Sequence, residues 1–186
     1  MNHVIVVQFI TLDGVVEDPD GSAGTPNGGW AFRFGPEAVA GDKFKLGPLL
    51  ETGALLFGRE TWQQFAKLWP PRTDDFSTTM NNASKRVASR TLTDVSGWQH
   101  SSLIEGELTS EVERLRRERD VIVIGSTSVA RTLRQHDLVD EYRLLIFPTI
   151  LGGGARLFDG PAQAGDLRLV SAERSGAAAL VRYQRG

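Results

Sequence analysis

Cysteine does not occur in the 186-residue chain. Its absence excludes disulfide bonds, a thiolate nucleophile and a cysteine-ligated metal. Histidine is scarce, and His3, His100 and His136 are scattered rather than spaced as metal ligands. A reducing compartment and a metal-free mechanism are therefore expected. Long apolar runs are missing too: stretches such as Val4 to Val7 and Leu144 to Phe147 stop far short of the ~20 residues a membrane-spanning helix needs. No basic leader and no small-residue cleavage site precede the first apolar run, so a cytoplasmic protein without an export signal is expected. Neither sign of charge dominates, with 21 Lys and Arg against 23 Asp and Glu and a net charge of −2. Without a basic excess, nucleic acid is not an expected partner.

What is present is ordinary globular usage, 40% hydrophobic and 24% charged residues. At ~150 residues per domain, the length predicts a single domain over residues 1–186. Asn2 to Ile10 is an almost unbroken β-branched run, as in a strand covered on both faces. Thr11 to Gly35 is dominated by turn pairs, Asp13-Gly14, Asp20-Gly21 and Asn27-Gly28-Gly29, and predicts a long functional loop. Pro36 opens a helical stripe of Val39, Lys43, Leu46, Leu49 and Leu50 that is interrupted at Gly47-Pro48.

Strand and helix then alternate. Ala54 to Phe57, Arg86 to Ala88, Trp98 to Ile104, Val121 to Ile124 and Val139 to Phe147 read as strands. Arg59 to Leu68, Asp74 to Asn82, Leu108 to Arg119 and Ser126 to Arg134 read as helices. Leu167 to Glu173 and Ala178 to Gln184 bracket Ser175-Gly176 as a hairpin. The alternation predicts an α/β fold with a mainly parallel sheet closed by an antiparallel C-terminal hairpin.

Ligands of parallel sheets bind beyond the carboxyl ends of the strands, so the residues after each apolar run matter most. Gly58-Arg59-Glu60-Thr61 joins a strand to a helix start, and brings free N–H groups, a hydroxyl and a guanidinium together. Gly125-Ser126-Thr127-Ser128 repeats that arrangement. Ser89-Arg90-Thr91 adds a second guanidinium and two hydroxyls at another strand end. Each has a plain structural reading as well: Arg59 solvated, Ser126 or Thr127 an N-cap, Ser89 to Thr91 a polar turn. Together they suit a ligand with a pyrophosphate and a further phosphate, as in NADPH.

These motifs carry a resemblance. Thr11-Leu12-Asp13-Gly14, the segments Leu56 to Trp62 and Lys85 to Leu92, Val123-Ile124-Gly125-Ser126, Leu138-Val139-Asp140-Glu141, Pro148 and Leu151-Gly152-Gly153-Gly154 follow one another as in the dihydrofolate reductase superfamily. The chain is most similar to the branch related to the reductase domain of the riboflavin-pathway bifunctional deaminase-reductase. The resemblance implies a dihydrofolate reductase-like three-layer α/β/α fold and NADPH as hydride donor to a small planar heterocycle or carbonyl compound. It implies that Arg59, Thr61, Ser89, Arg90 and Thr91 hold the adenosine end and 2′-phosphate. Gly58 lies in the same motif, and Gly125, Ser126 and Thr127 would hold the pyrophosphate. Relatives in this branch commonly form homodimers. Reduction of 5-amino-6-(5-phosphoribosylamino)uracil, dihydrofolate reduction, and a non-catalytic NADP-binding dimer are the functional alternatives.

Reduction also needs a proton. Asp13, in the L-D-G turn, is one candidate, with an Asx-turn as its structural alternative. Asp42, sixteen positions before Gly58, has the spacing of the pterin-binding carboxylate and is the second. Glu37 is a third, although a helix's first turn also accounts for it. Trp30, Phe32 and Phe34 would either stack on a flat ligand or pin the loop to the core. Trp62 and Trp69 share a helix face suited to packing, and the charged stretch Glu111 to Asp120 reads as a solvated helix surface.

Overall fold

The run VIVVQFIT forms strand β1 (Val4–Thr11), and its apolar composition follows from burial on both faces. A long loop with two 3-10 turns, Trp30–Phe34 and Pro36–Ala38, leads to the one-turn helix α1 (Leu49–Thr52). Then come β2 (Ala54–Gly58), α2 (Arg59–Leu68), α3 (Asp75–Asn82), β3 (Ser84–Ala88), β4 (Ser101–Leu103), α4 (Leu108–Glu118), β5 (Val121–Ile124), α5 (Thr127–Gln135) and β6 (Glu141–Phe147). The hairpin β7 (Leu167–Ser175) and β8 (Ala178–Arg185) ends the chain. The computed structural model describes residues 2–162 and 164–186. Among these no helix is long and apolar enough to cross a membrane.

The strands form an eight-stranded sheet in the order β4-β3-β2-β5-β1-β6-β8-β7. Pairing is parallel from β4 through β6 and antiparallel from β6 to β8 and β7, as the alternation with a terminal hairpin predicts. Because side chains alternate along a strand, β1 sends Val4, Val6 and Ile10 to one face, where α4 and α5 cover them with Val112, Leu115, Val129 and Leu133. Ile5 and Val7 point to the other face, under Trp62 of α2 and Met80 of α3. Farther along that face, Trp30, Ala31 and Ala38 of the long loop cover Leu145, Phe147 and Leu180. The result is a three-layer α/β/α fold.

Three segments depart from the sequence reading. The helical stripe after Pro36 is helical only at its ends, a 3-10 turn over Pro36–Ala38 and α1 beyond the interruption expected at Gly47-Pro48; between them Gly41, Lys45 and Gly47 have φ of 73°, 50° and 50°, and three left-handed residues in seven break any right-handed helix. Its apolar residues still face inward, with Leu46 and Leu50 buried, so periodicity recorded burial rather than helix. The strand predicted from Trp98 to Ile104 shrinks to Ser101–Leu103, because His100 has φ 60°. In the terminal hairpin the two-residue turn is Gly176-Ala177, one position later than the bracketed pair, with φ 60° at Gly176.

Candidate active site

The connection from β1 leads to β2 on one side, and that from β5 leads to β6 on the other. The neighbouring strands β1 and β5 therefore flank the point where the winding of the sheet reverses, and a crevice opens beyond such a point. A cleft of about 1360 Å³ lies there, lined by the ends of β1, β2, β3 and β5 and by the residues that follow them.

Its floor is built from two glycine turns. α2 begins directly after Gly58 and α5 directly after Ser126, and no side chain caps either start. Ser126 is buried, and its hydroxyl does not turn back onto its own helix; it accepts a hydrogen bond from the Gly58 N–H at 2.9 Å. This bond fastens the two helix starts side by side. Gly125 adopts φ +69°, and a Cβ there would stand 3.4 Å from the Thr61 methyl group. A Cβ on Gly58 would come within 3.6 Å of the Ser128 hydroxyl. The uncapped amides carry the positive ends of two helix dipoles into one place.

Two arginines, Arg59 and Arg90, stand at the rim, with Glu60 beside the first. Arg90 is exposed and has no hydrogen-bond or ion-pair partner among the described residues. Arg59 is exposed and, among the described residues, makes only a 3.3 Å pair with its neighbour Glu60, an interaction of little strength in water. Ser89 shapes the turn that presents Arg90, its hydroxyl accepting from the N–H groups of Thr91 and Leu92 at 3.2 and 3.0 Å. Gly58, Arg59, Thr61, Ser89, Arg90, Thr91, Gly125, Ser126 and Thr127 all line this cleft.

The other end of the cleft is aromatic. Phe44 packs 5.4 Å from Phe9, and Trp69 lies 5.8 Å from Phe65 and 5.5 Å from Phe76. All five line the cavity. The Trp69 indole N–H is buried and has no acceptor among the described residues. A flat ring with a hydrogen-bond acceptor suits such a wall.

Residues 2–181 match the family model of the RibD C-terminal domain. The chain belongs to the RibD C-terminal domain family. Among curated proteins it is similar to the uncharacterized protein YyaP of Bacillus subtilis, 26% identical over 91% of this chain and 87% of that one. It is also similar to the uncharacterized YwjB of the same organism, 22% identical over 95% and 94%. A solved protein ascribed to riboflavin biosynthesis, from Shewanella sp. PV-4, aligns over 99% of both chains with TM-score 0.73 and 21% identity. The Thermotoga maritima diaminohydroxyphosphoribosylaminopyrimidine deaminase/5-amino-6-(5-phosphoribosylamino)uracil reductase aligns with all of this chain and 57% of its own, with TM-score 0.62 and 18% identity. A pyrimidine reductase-like protein of Corynebacterium diphtheriae gives TM-score 0.56 and 14% identity over 100% of this chain and 92% of that one. These structures share the fold of the RibD C-terminal domain.

Within this domain the acids sit apart from the anion-suited floor. Asp42 lines the cleft, but its carboxylate accepts the N–H groups of Leu46 and Gly47 at 2.9 and 2.7 Å. It ties the left-handed turn that replaces the predicted helix. Asp13 is not among the lining residues. Its carboxylate accepts from the Thr11 hydroxyl at 2.6 Å, from Gly152 N–H at 2.8 Å and from Leu151 N–H at 3.3 Å. Those donors, Thr11 foremost, lower its pKa from 3.8 to about 2. It joins the T-L-D-G turn to the glycine-rich loop after β6. Glu37 is exposed on a 3-10 turn outside the cleft lining.

The loop between β1 and α1 is held by Asp18, to which sequence reasoning gave no role, and by two of the aromatics it named. Burial raises the Asp18 pKa, but the N–H groups of Ala23 and Thr25 and the Thr25 hydroxyl outweigh it and keep the carboxyl below its ordinary value. A Cβ on Gly28 would fall 2.2 Å from an Asp18 oxygen, so glycine is required there. Trp30 is fully buried and donates its indole N–H to Glu17 O at 2.8 Å. It pins the loop, as does Phe34 against Phe147, whereas Phe32 is half exposed and lines the cleft. Arg131 of α5 also lines the cleft, and its guanidinium donates to Arg156 O at 2.7 Å. Gln8, inside β1, is the other omission; its signal was a lone amide in an apolar run.

Proposed function

We propose that this RibD C-terminal domain protein is an NADPH-dependent reductase that delivers a hydride to a small planar heterocycle, of the pyrimidine class or close to it. The observation that carries the reading is the 2.9 Å bond from Gly58 N–H to Ser126 Oγ. It sets two uncapped helix starts side by side in a cleft that Arg59 and Arg90 also line, an arrangement that suits a pyrophosphate with a further phosphate. The floor would hold the pyrophosphate on the amides after Gly58 and Gly125. Arg59 and Arg90, with Thr61, Ser89 and Thr91, would hold the adenosine end and its 2′-phosphate. The reduced nicotinamide supplies the hydride when bound.

The chain's own residues orient and enclose. The aromatic end, from Phe44 to Trp69 and Phe76, would take the flat acceptor and exclude water. Asp18 and Asp42 each bind backbone amides of their own loops, so in this reading both shape the rim and a cleft water carries the proton. Asp13 acts as a positioning residue that holds the T-L-D-G turn against the loop after β6.

The test is a titration of intrinsic tryptophan fluorescence with NADPH and with NADH. Tighter binding of NADPH is expected, and the joint change Arg59→Gln, Arg90→Gln should erase the preference while leaving NADH binding close to its starting value. A preference that survives both changes would remove the 2′-phosphate assignment. Absence of binding by either nucleotide would remove the reductase reading. Turnover of candidate pyrimidine and pterin acceptors with NADPH then separates the substrate classes.

A further inference from the structure

Gln8 is the only side-chain amide in β1, and the strand is otherwise apolar up to Thr11. It is 3% exposed, it lines the cleft, and its Nε2 is buried with no acceptor among the described residues. A buried N–H without a partner is rare in folded proteins, and a leucine or valine would fill the position without that penalty. Its place in the fold shows which way the unmet group looks. Val7 is the last residue of β1 in register with β5, opposite Ile124. Gly125 N–H then donates to Val7 O at 3.4 Å, and β5 ends. Gln8 is still paired with Leu144 of β6, but on the β5 side the sheet no longer continues. Strand alternation puts its side chain on the face of Val6 and Ile10, which is the face that α5 covers. Gln8 thus lies in the buried wall of the crevice, one residue past the Val7 carbonyl that accepts the N–H of the glycine turn opening α5.

We infer that Gln8 recognises the carboxamide of the cofactor's nicotinamide ring, amide to amide. The inference rests on the NADPH reading and adds to it a residue that orients the reacting ring. An Nε2–H needs a carbonyl oxygen, and the glutamine's own oxygen is an acceptor for an N–H. A primary carboxamide on a planar ring presents both in one plane. Phosphates have the uncapped helix starts and the two arginines, and the aromatic end lies under the opposite face of β1, where Phe9 meets Phe44.

The experiment compares two ligands on the intact chain by calorimetric titration: NADPH, and 2′-phospho-ADP-ribose, which keeps the phosphates and both riboses but lacks nicotinamide. Gln8→Leu is expected to weaken NADPH roughly tenfold, the scale of one lost ligand hydrogen bond, and to leave 2′-phospho-ADP-ribose unchanged. Unchanged binding of the truncated ligand also shows that the variant is folded. If Gln8→Leu does not fold, Gln8→Met, which keeps the length and drops the amide, gives the same comparison. Equal weakening of both ligands, as contact with a ribose hydroxyl would produce, overturns the inference, and so does no weakening of either. If the unaltered protein binds neither ligand, the cofactor reading fails and this one with it. If it binds both and the variants do not discriminate, only the role of Gln8 is lost.

Discussion

Asp13 joins two loops from outside the cleft lining. With its pKa lowered to about 2 by the Thr11 hydroxyl and the amides of Gly152 and Leu151, it is ionised at every ordinary pH. A lowered carboxylate pKa adds stability that is complete above the unfolded value of 3.8 and disappears as pH falls through about 2. Urea unfolding from pH 5 to pH 2 should therefore show the unaltered protein losing stability faster than Asp13→Asn, with the gap between them closing at the acid end. Parallel curves would show that the bonds do not couple to folding. The sequence made Asp13 visible because Asp-Gly after a strand is turn chemistry. It did not show that the carboxylate would be met by a loop nearly 140 residues away. Gln8 was overlooked for the opposite reason: an amide in a strand has no local signature, and its meaning depends on what fails to face it.

Elements were legible where local rules decide them. The helices α2, α4 and α5 carry their apolar residues at helical spacing and begin where the motifs place them. β5 matches its four-residue run to the residue. The segment after Pro36 was misread because burial at helical spacing also suits an irregular chain lying over the sheet, and left-handed turns at Gly41, Lys45 and Gly47 won. The Ser126 hydroxyl belongs to this scale as well. A serine before a helix reads as an N-cap, yet here it joins two elements by accepting from Gly58 N–H. Ser126→Ala should cost about 1 kcal/mol, seen as a lower urea midpoint at unchanged slope. The same change should weaken NADPH several-fold, because both helix starts lose their common tie. A variant with reduced stability but unaltered NADPH affinity would argue against that coupling.

At the scale of the whole molecule, a buried ionic cluster fixes the relation between the sheet and the loop over it. Glu141 is 1% and Arg143 5% exposed. Arg143 Nε donates to Glu141 Oε1 at 2.5 Å, while its Nη1 donates to Phe44 O and Lys45 O at 3.0 and 2.6 Å. Arg182 and Gln184 of β8 reach the same carboxylate at 3.1 and 2.7 Å. Burial raises the Glu141 pKa, but Arg143, Gln184 and Arg182 outweigh that and leave it lowered. The cluster thereby links β6, β8 and the segment carrying Phe44 into the cleft. Glu141→Ala strands two cations and should cost about 3–5 kcal/mol, read by thermal or urea unfolding. A loss below about 1 kcal/mol would mean that the guanidiniums find other acceptors.

The sequence by itself determined the α/β class, the mainly parallel sheet with its antiparallel end and the glycine turns at the strand ends, while the three-layer arrangement was implied by the family resemblance. Those features follow from side-chain periodicity, β-branching and backbone freedom, which act over a few residues at a time. It also brought the three anion-suited segments to notice one by one. Only the tertiary structure decided that they line one cleft, that Asp13 and Asp42 bind loop amides, and that Gln8 keeps a buried N–H unmet there. Each of these depends on which distant groups come within about 3 Å, and that is set by strand order and loop path, which no local pattern encodes.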